Sequence, residues 1–306
     1  MAANLPSLVA SLITVSGLAL GAVYFLIAAG LSLIYGLMGV LNFAHGAFLT
    51  LGGYAGWAVA QQLTAARGGA GFLLTAGAAA LAGAAVAAAT ELLLIRPLYG
   101  RQIAQILVTI GLDLALVGLL LGAFGSNSRA IGVPAWVTGV TAIGGVRIPD
   151  GDFVAFGAGL AVLGALTWFL RRTRYGIIIR AGAENRDMVR ALGVDVGRAF
   201  TLVFTVGGAA AGLAGLLNSV VFSGALVDPT QGDQLLIFAF IVVVIGGLGS
   251  IAGSALAAVV VGLVQVYVGF YAGGGAGLAQ LGNVSVVLVL AVVLLVRPRG
   301  LLGGST

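Results

Sequence analysis

The sequence has no cysteine, no lysine and a single histidine, and only 8% of its 306 residues are charged, where a soluble domain carries roughly 25%. Each scarcity excludes a class of chemistry. Without cysteine there are no disulfides, thiolate metal sites or cysteine nucleophiles. One histidine with no carboxylate near it in sequence gives a metal no ligand set. Without lysine a phosphate-binding loop of the GxxxxGK[ST] type cannot be written, so energy for any work must come from a gradient or another subunit. Too few charges remain to coat a soluble globular enzyme. No basic segment precedes the first apolar run and the first charge is Arg67, so the start of the chain reads as mature protein and not as a secretory signal.

Apolar residues make up 60% of the chain and the mean hydropathy is +1.17. Runs of about 17–25 apolar residues are long enough to cross a bilayer as helices, and nine segments qualify: 8–38, 46–62, 71–95, 103–124, 153–170, 199–222, 235–250, 254–271 and 283–296. The expected fold is an all-α polytopic membrane bundle of eight to nine transmembrane helices, forming one permease domain over 1–306. The first segment is too long for one straight span and the seventh is short, which leaves room in either for a broken or re-entrant helix. Gly, at 51 residues against 6 Pro, suits close helix packing. GxxxG pairs at Gly17/Gly21, Gly52/Gly56, Gly118/Gly122, Gly208/Gly212 and Gly249/Gly253 are no more than this glycine content yields by chance.

All 14 basic residues are arginine, and eleven fall in three places: the loop 96–101, the loop 171–198 and the tail at Arg297 and Arg299. Short cytoplasmic loops collect such residues, so these three share the cytoplasmic side and the C-terminus is cytoplasmic. The basic pI of 10.1 therefore reflects membrane topology and not nucleic-acid binding. Residues 125–152 become an irregular or hairpin-like external loop around Gly144 and Gly145, and 223–234 an external turn.

Three places carry chemistry. Within the cytoplasmic loop, 180–195 reads as a short amphipathic helix, pairing Asp187 with Arg190 and Met188 with Leu192 and closing at Gly193. It suits docking into a groove on a partner, or lying on lipid headgroups. The segment 41–48 sets Asn42 and His45 in an apolar run, where they line a path or steady a helix break, the imidazole bonding a freed backbone carbonyl. Asp113 is read as the one carboxylate deep in a span, the position a proton- or sodium-coupled transporter uses. Asp228, Gln231 and Asp233 are expected at the outer mouth of the last helices. Finally, 36–59 and 244–264 share an apolar run, a glycine break and a small-residue helix, a pattern transporters repeat in their two halves.

The stretches LIYGLMGVLNFAHGAFLTLGGY (33–54), LVTIGLDLAL (107–116), RAGAENRDMVRALGVDVGRAFTLVFTVGGAAAGLAGLL (180–217), VVVIGGLGSIAGS (242–254) and VRPRGLLG (296–303) resemble, in order, the branched-chain amino acid ABC transporter permease family, specifically its LivH-type subunits. The resemblance implies a permease subunit in a bacterial plasma (inner) membrane. It also implies a LivM-type sister permease, two cytoplasmic ATP-binding-cassette ATPases that use ATP and Mg, and an extracytoplasmic substrate-binding protein; this chain binds no cofactor itself. On the same ground Glu184, Asn185, Arg186, Asp187, Met188, Ala191, Leu192 and Gly193 match the coupling loop to the ATPases. Asn42, His45, Gly46, Gly246, Gly247, Gly249 and Ser250 fall in the family's NFAHG and glycine-rich blocks, and with Asp113 they are candidates for the translocation path or a helix break. Permeases for urea, amides and other amino acids share this pattern. The competing class is an ion-coupled secondary transporter built on Asp113; an intramembrane enzyme using His45 with Ser32 or Ser250 lacks a visible partner set.

Overall fold

The computed structural model describes residues 5–39, 41–63, 68–143, 145–184, 196–272 and 280–302. Among them the chain is almost wholly helical: α1 (Leu5–Met38), α2 (His45–Gln62), α3 (Gly69–Thr90), α4 (Gln102–Phe124), the one-turn α5 (Ala135–Thr138), α6 (Asp150–Arg172), α7 (Arg174–Glu184), α8 (Val196–Leu217), α9 (Gln231–Gly246), α10 (Ile251–Ala272) and α11 (Leu281–Val296). Strands are confined to the loops. The hairpin β2 (Val140–Ile143) and β3 (Val146–Pro149) pairs antiparallel, and β1 (Arg129–Ala130) pairs with β4 (Leu226–Val227), a link between two loops that no local pattern announces.

All nine apolar segments are helices, but they differ in reach. Six helical stretches are long and apolar enough to cross a membrane: Leu8–Met38, Gly69–Leu98, Gln102–Phe124, Asp150–Arg172, Gly197–Phe222 and Ile251–Ala272. α9 and α11 have 16 residues each and α2 has 18. The protein is thus a multi-pass membrane helical bundle in which three apolar helices are short.

The 34-residue α1 runs unbroken, about 51 Å at 1.5 Å per residue, and forms the axis of the bundle. Val23, Leu26, Ile27, Ala28 and Ala29 are wholly buried because α6, α8, α9 and α10 pack around it. Where helices cross most closely the residues are small: a methyl group on Gly52 or Gly83 would overlap the backbone of Gly212 or Gly208. Such contacts drive helix association in lipid, which supplies no hydrophobic effect between helices. Of the GxxxG pairs, Gly118/Gly122 on α4 meets nothing within 4 Å. Peripheral α4 turns Ile103, Leu107, Leu114 and Leu119 outward, as a lipid-facing helix does.

The two ends of the bundle are distinguishable. At one end Gly182 of α7 lies against Leu37, Gly249 against Gly36, and Gly300 of the tail against Gly247, while Tyr99 of the 96–101 loop stacks edge-on against Phe200 of α8. The three arginine-bearing segments therefore share one end. At the other, Gly145 lies by Leu8 near the start of α1, and Gln61 Nε2 donates to Ala130 O at 3.0 Å. The start of α1 and the tail are at opposite ends, a relation the sequence left open.

Within the arginine-rich loop, α7 follows α6 after one residue. Thr173 makes the corner: its hydroxyl donates to Phe169 O (2.7 Å) and accepts the Gly176 N–H (3.0 Å), capping α7. α7 begins six residues before the helix expected across 180–195 and overlaps it at 180–184. Glu184 ends α7, whereas Asn185, Arg186, Asp187, Met188, Ala191, Leu192 and Gly193 lie outside the described residues.

Candidate functional site

α2 does not start at a membrane surface. His45, its first residue, is wholly buried, and its Nε2 donates to Ile27 O of α1 at 3.2 Å. Ile27 is eleven residues before the end of α1, about 16 Å along the axis. The chain therefore leaves α1 at the arginine end, is back inside the bundle by 41–44, and begins α2 at depth. α9 does the converse, entering from the 223–230 turn and starting beside α2. A side chain on Gly46 or Gly232 would strike the other's backbone, and the two starts are locked by Thr50, whose Oγ1 accepts the Gly232 N–H (3.0 Å) and donates to Gly46 O (3.2 Å). Two helix N-termini, each carrying partial positive charge and unpaired N–H groups, thus meet inside the protein.

Carboxylates answer them. Asp113 Oδ1 accepts the Ala47 N–H at 3.0 Å, and one turn earlier on α4 Thr109 Oγ1 accepts the Phe43 N–H at 3.3 Å. Asp233, in the first turn of α9, lies within side-chain hydrogen-bonding reach of Asp113. This corrects the expectation that Asp233 sits at the outer mouth with Asp228. Asp228 does lie in the turn, where burial raises its pKa but hydrogen bonds from Thr230 and Ser128 outweigh that and hold it below the ordinary carboxylate value. Gln231 is buried and braces the end of the α8 stretch, accepting from Ser219 Oγ at 2.8 Å.

Beside the acid pair is an apolar cavity of about 170 Å³ lined by Leu31, Leu41, Asn42, Phe43, Leu236, Ile237 and Phe240. Asn42 is 2% exposed, and neither its Nδ2 nor its Oδ1 has a hydrogen-bond partner. An unpaired buried amide costs on the order of 1–3 kcal/mol; both amide atoms of Asn42 are closed off from the cavity, whose exposed wall is apolar throughout.

The structure divides the candidate residues accordingly. Asn42, His45, Gly46 and Asp113 come together. Gly246, Gly247, Gly249 and Ser250 lie at the arginine end, where Gly247 (φ 101°) and Gly249 (φ 85°) turn the chain, Ser250 Oγ accepts the Gly253 N–H, and the tail donates from Leu301 N and Leu302 N to the last carbonyls of α9. That block is a helix break thirteen or more residues along α9 from Asp233, roughly 20 Å, and not part of the central site. The two glycine breaks of the suggested repeat touch through Gly36 and Gly249.

Nor is Asp113 the one acid within the spans. Glu91 at the end of α3 is wholly buried, accepting from Tyr99 OH and from Thr201 Oγ1 (2.5 Å), with Arg96 Nε at 4.0 Å, the one ion pair among the described residues. Burial first, then the Glu91 carboxylate, raises the Tyr99 phenol above its ordinary range, keeping it a donor. Glu91 was discoverable as an acid inside 71–95. Asp233, Thr50 and Thr109 carried no local signal, because what selects them is the re-entrant start of α2.

A family model described as "Branched-chain amino acid transport system / permease component" matches residues 13–297. The chain is 32% identical over 297 residues to the high-affinity branched-chain amino acid transport system permease protein BraD of Pseudomonas aeruginosa, and 29% identical over 299 residues to LivH of Escherichia coli (strain K12); each alignment covers 94% of both proteins. A shorter match, 28% over 102 residues and covering 33% of this chain and 30% of the relative, is to a probable branched-chain amino acid transport permease protein LivM of Methanocaldococcus jannaschii. No solved structure matches. A match over almost the whole chain, on a bundle with helix starts buried at its centre, means that this protein belongs to the branched-chain amino acid transport system permease family.

Proposed function

We propose that the chain is the membrane-spanning permease subunit of an ATP-binding-cassette importer for leucine, isoleucine and valine. The observation that carries this is the end-to-end similarity to permeases named for branched-chain amino acid transport. In this reading it works in a bacterial plasma membrane with a LivM-type sister permease, two cytoplasmic ATPases that consume ATP with Mg, and an extracytoplasmic binding protein. The arginine-bearing end and the C-terminus are cytoplasmic, since arginine collects in short cytoplasmic loops. Of the eight or nine traverses expected, nine is the reading favoured by the start of α1 and the tail lying at opposite ends, which suits an odd number.

Residues 184–193 are the coupling element. ATP-driven closure of the ATPases moves this segment, and α7, seated against the end of α1 through Gly182 and Leu37, carries the displacement to the axis helix that holds His45. A coupling element can act only if its contacts differ between the two states. The test is purification of the tagged chain with its associated subunits, followed by ATP-driven leucine uptake in proteoliposomes. Arg186→Glu with Leu192→Asp should release the ATPases and abolish uptake while the permease stays in the membrane. Normal uptake by that double variant refutes the coupling role, and uptake by the chain alone under an ion gradient overturns the importer reading.

A further inference from the structure

We infer that the groove between the end of α3 and the start of α8 binds an anionic phospholipid from the leaflet at the arginine end. Arg96 and Arg198 hold its phosphodiester, and an acyl chain lies along Leu92, Leu202 and Val206. The inference needs only that the chain spans a membrane and is independent of what the permease carries. It gives these two arginines a ligand, beyond their part in marking one side of the membrane.

The groove, about 580 Å³, has Leu92 and Arg96 on one wall and Arg198, Thr201, Leu202, Thr205 and Val206 on the other. The latter five stand at i, i+3, i+4, i+7 and i+8, one face of a helix. That face is open only over the first turns of α8: Arg198 is exposed and the other four are half-buried, whereas from Gly207 to Val220 every residue except Ala209 and Leu213 is buried. The walls are fixed to each other, because Thr201 Oγ1 donates across to Glu91 Oε2 at 2.5 Å. Glu91 is wholly buried and no carboxylate lines the groove, so the charge it presents is positive. Arg96, with its Nε 4.0 Å from Glu91, remains 44% exposed.

Polarity is graded with depth. α3 ends and α8 begins at the arginine end, so Leu92 lies one turn deeper than Arg96, and Thr201, Thr205 and Val206 lie successively deeper than Arg198, the last by about 12 Å. Charge at the mouth, hydroxyls below it and methyl groups beyond follow the order of phosphate, ester and acyl chain in a phospholipid. Guanidinium groups meet phosphate oxygens in paired hydrogen bonds, and basic pockets between membrane helices take anionic headgroups. A free phosphate gains nothing from the apolar walls, which is why the lipid is the occupant that fits the whole groove.

The experiment places the purified protein, with its associated subunits, in nanodiscs and adds phosphatidylglycerol or phosphatidylcholine carrying the same diazirine near the carbonyl end of one acyl chain. On irradiation, label from the phosphatidylglycerol probe should map to Leu92 and to 201–206, exceed that from the phosphatidylcholine probe, and be displaced by unlabelled phosphatidylglycerol but not by inorganic phosphate. Arg198→Gln should cut this labelling about fivefold, the effect of one arginine at an anionic membrane surface, and Arg198→Lys should keep most of it. Val206→Trp, which fills the apolar wall and leaves both charges in place, should cut it as well. Equal label from the two probes, displacement by inorganic phosphate, label confined to other positions, or a cross-link from this groove to a peptide of another subunit overturns the inference. So does an Arg198→Gln protein labelled like the wild type. The comparison of the two probes on the wild-type protein decides the matter even if a variant fails to fold.

Discussion

Glu91 offers the sharpest energetic test of the bundle. It is wholly buried at the end of α3, where a π turn (Glu91–Ile95) and a single 3-10 turn (Arg96–Leu98) lead into the 96–101 loop. Its carboxylate accepts from Tyr99 in that loop and from Thr201 on α8. Hydrogen bonds to a charged group are worth about 1.5–3 kcal/mol each. Thr201 has a second acceptor in Gly197 O at 3.2 Å, so Glu91→Leu loses most of its energy through Tyr99, and Arg96, 44% exposed, can turn to solvent. The expected cost is about 2–4 kcal/mol. With an unfolding entropy of roughly 2.1 cal/mol/K per residue, 306 residues give a fall of about 3–6 °C in Tm. The assay is thermal unfolding of the detergent-purified chain for Glu91→Leu, Tyr99→Phe and the double variant, with Leu93→Ala, at a 73% exposed position, as control. The cycle should return a coupling of at least about 1 kcal/mol between Glu91 and Tyr99. Additive single effects, or a Glu91→Leu variant that melts with the wild type, refute this account of what ties the loop to α8.

Other outcomes follow from the same geometry. Asp228 is held below its unfolded value near 3.9, so its contribution is present above about pH 4 and is lost as pH falls through the folded value; Asp228→Asn should melt lower than wild type at pH 7, and the gap should narrow as the pH is taken down through the folded value. Gly232→Val drives a side chain into the Gly46 carbonyl and Thr50, an overpacking cost of about 1–3 kcal/mol that size-exclusion profiles after graded heating should register, whereas Gly118→Val, with nothing within 4 Å, should behave as wild type.

Sequence alone determined the class and most of the elements. Every one of the nine apolar segments is a helix, because an apolar run in lipid must satisfy its own backbone, and the three arginine clusters share one end because charge in loops is set by membrane insertion, a local property of the chain. The family was legible in blocks such as NFAHG (42–46) and ENRDM (184–188). Asn42, His45 and Asp113 stood out because polar groups in apolar runs are costly and need a reason.

Tertiary structure alone decided where these residues meet. Whether α2 begins at the surface or beside Ile27 depends on the path of 39–44 and on glycines of distant helices fitting face to face, and neither leaves a periodicity to read. Asp233 looked like a span-ending acid because its neighbours in sequence are Gly232 and Gln234; its partner Asp113 is on another helix, brought to it only when α4 lies across the paired starts of α2 and α9. The glycine block at 246–250 resembled the break at 39–46 in composition, yet it closes α9 at the arginine end against the tail. Composition and hydropathy are sums over neighbours along the chain, whereas the central site is built from contacts between residues more than sixty positions apart, and only packing could assemble it.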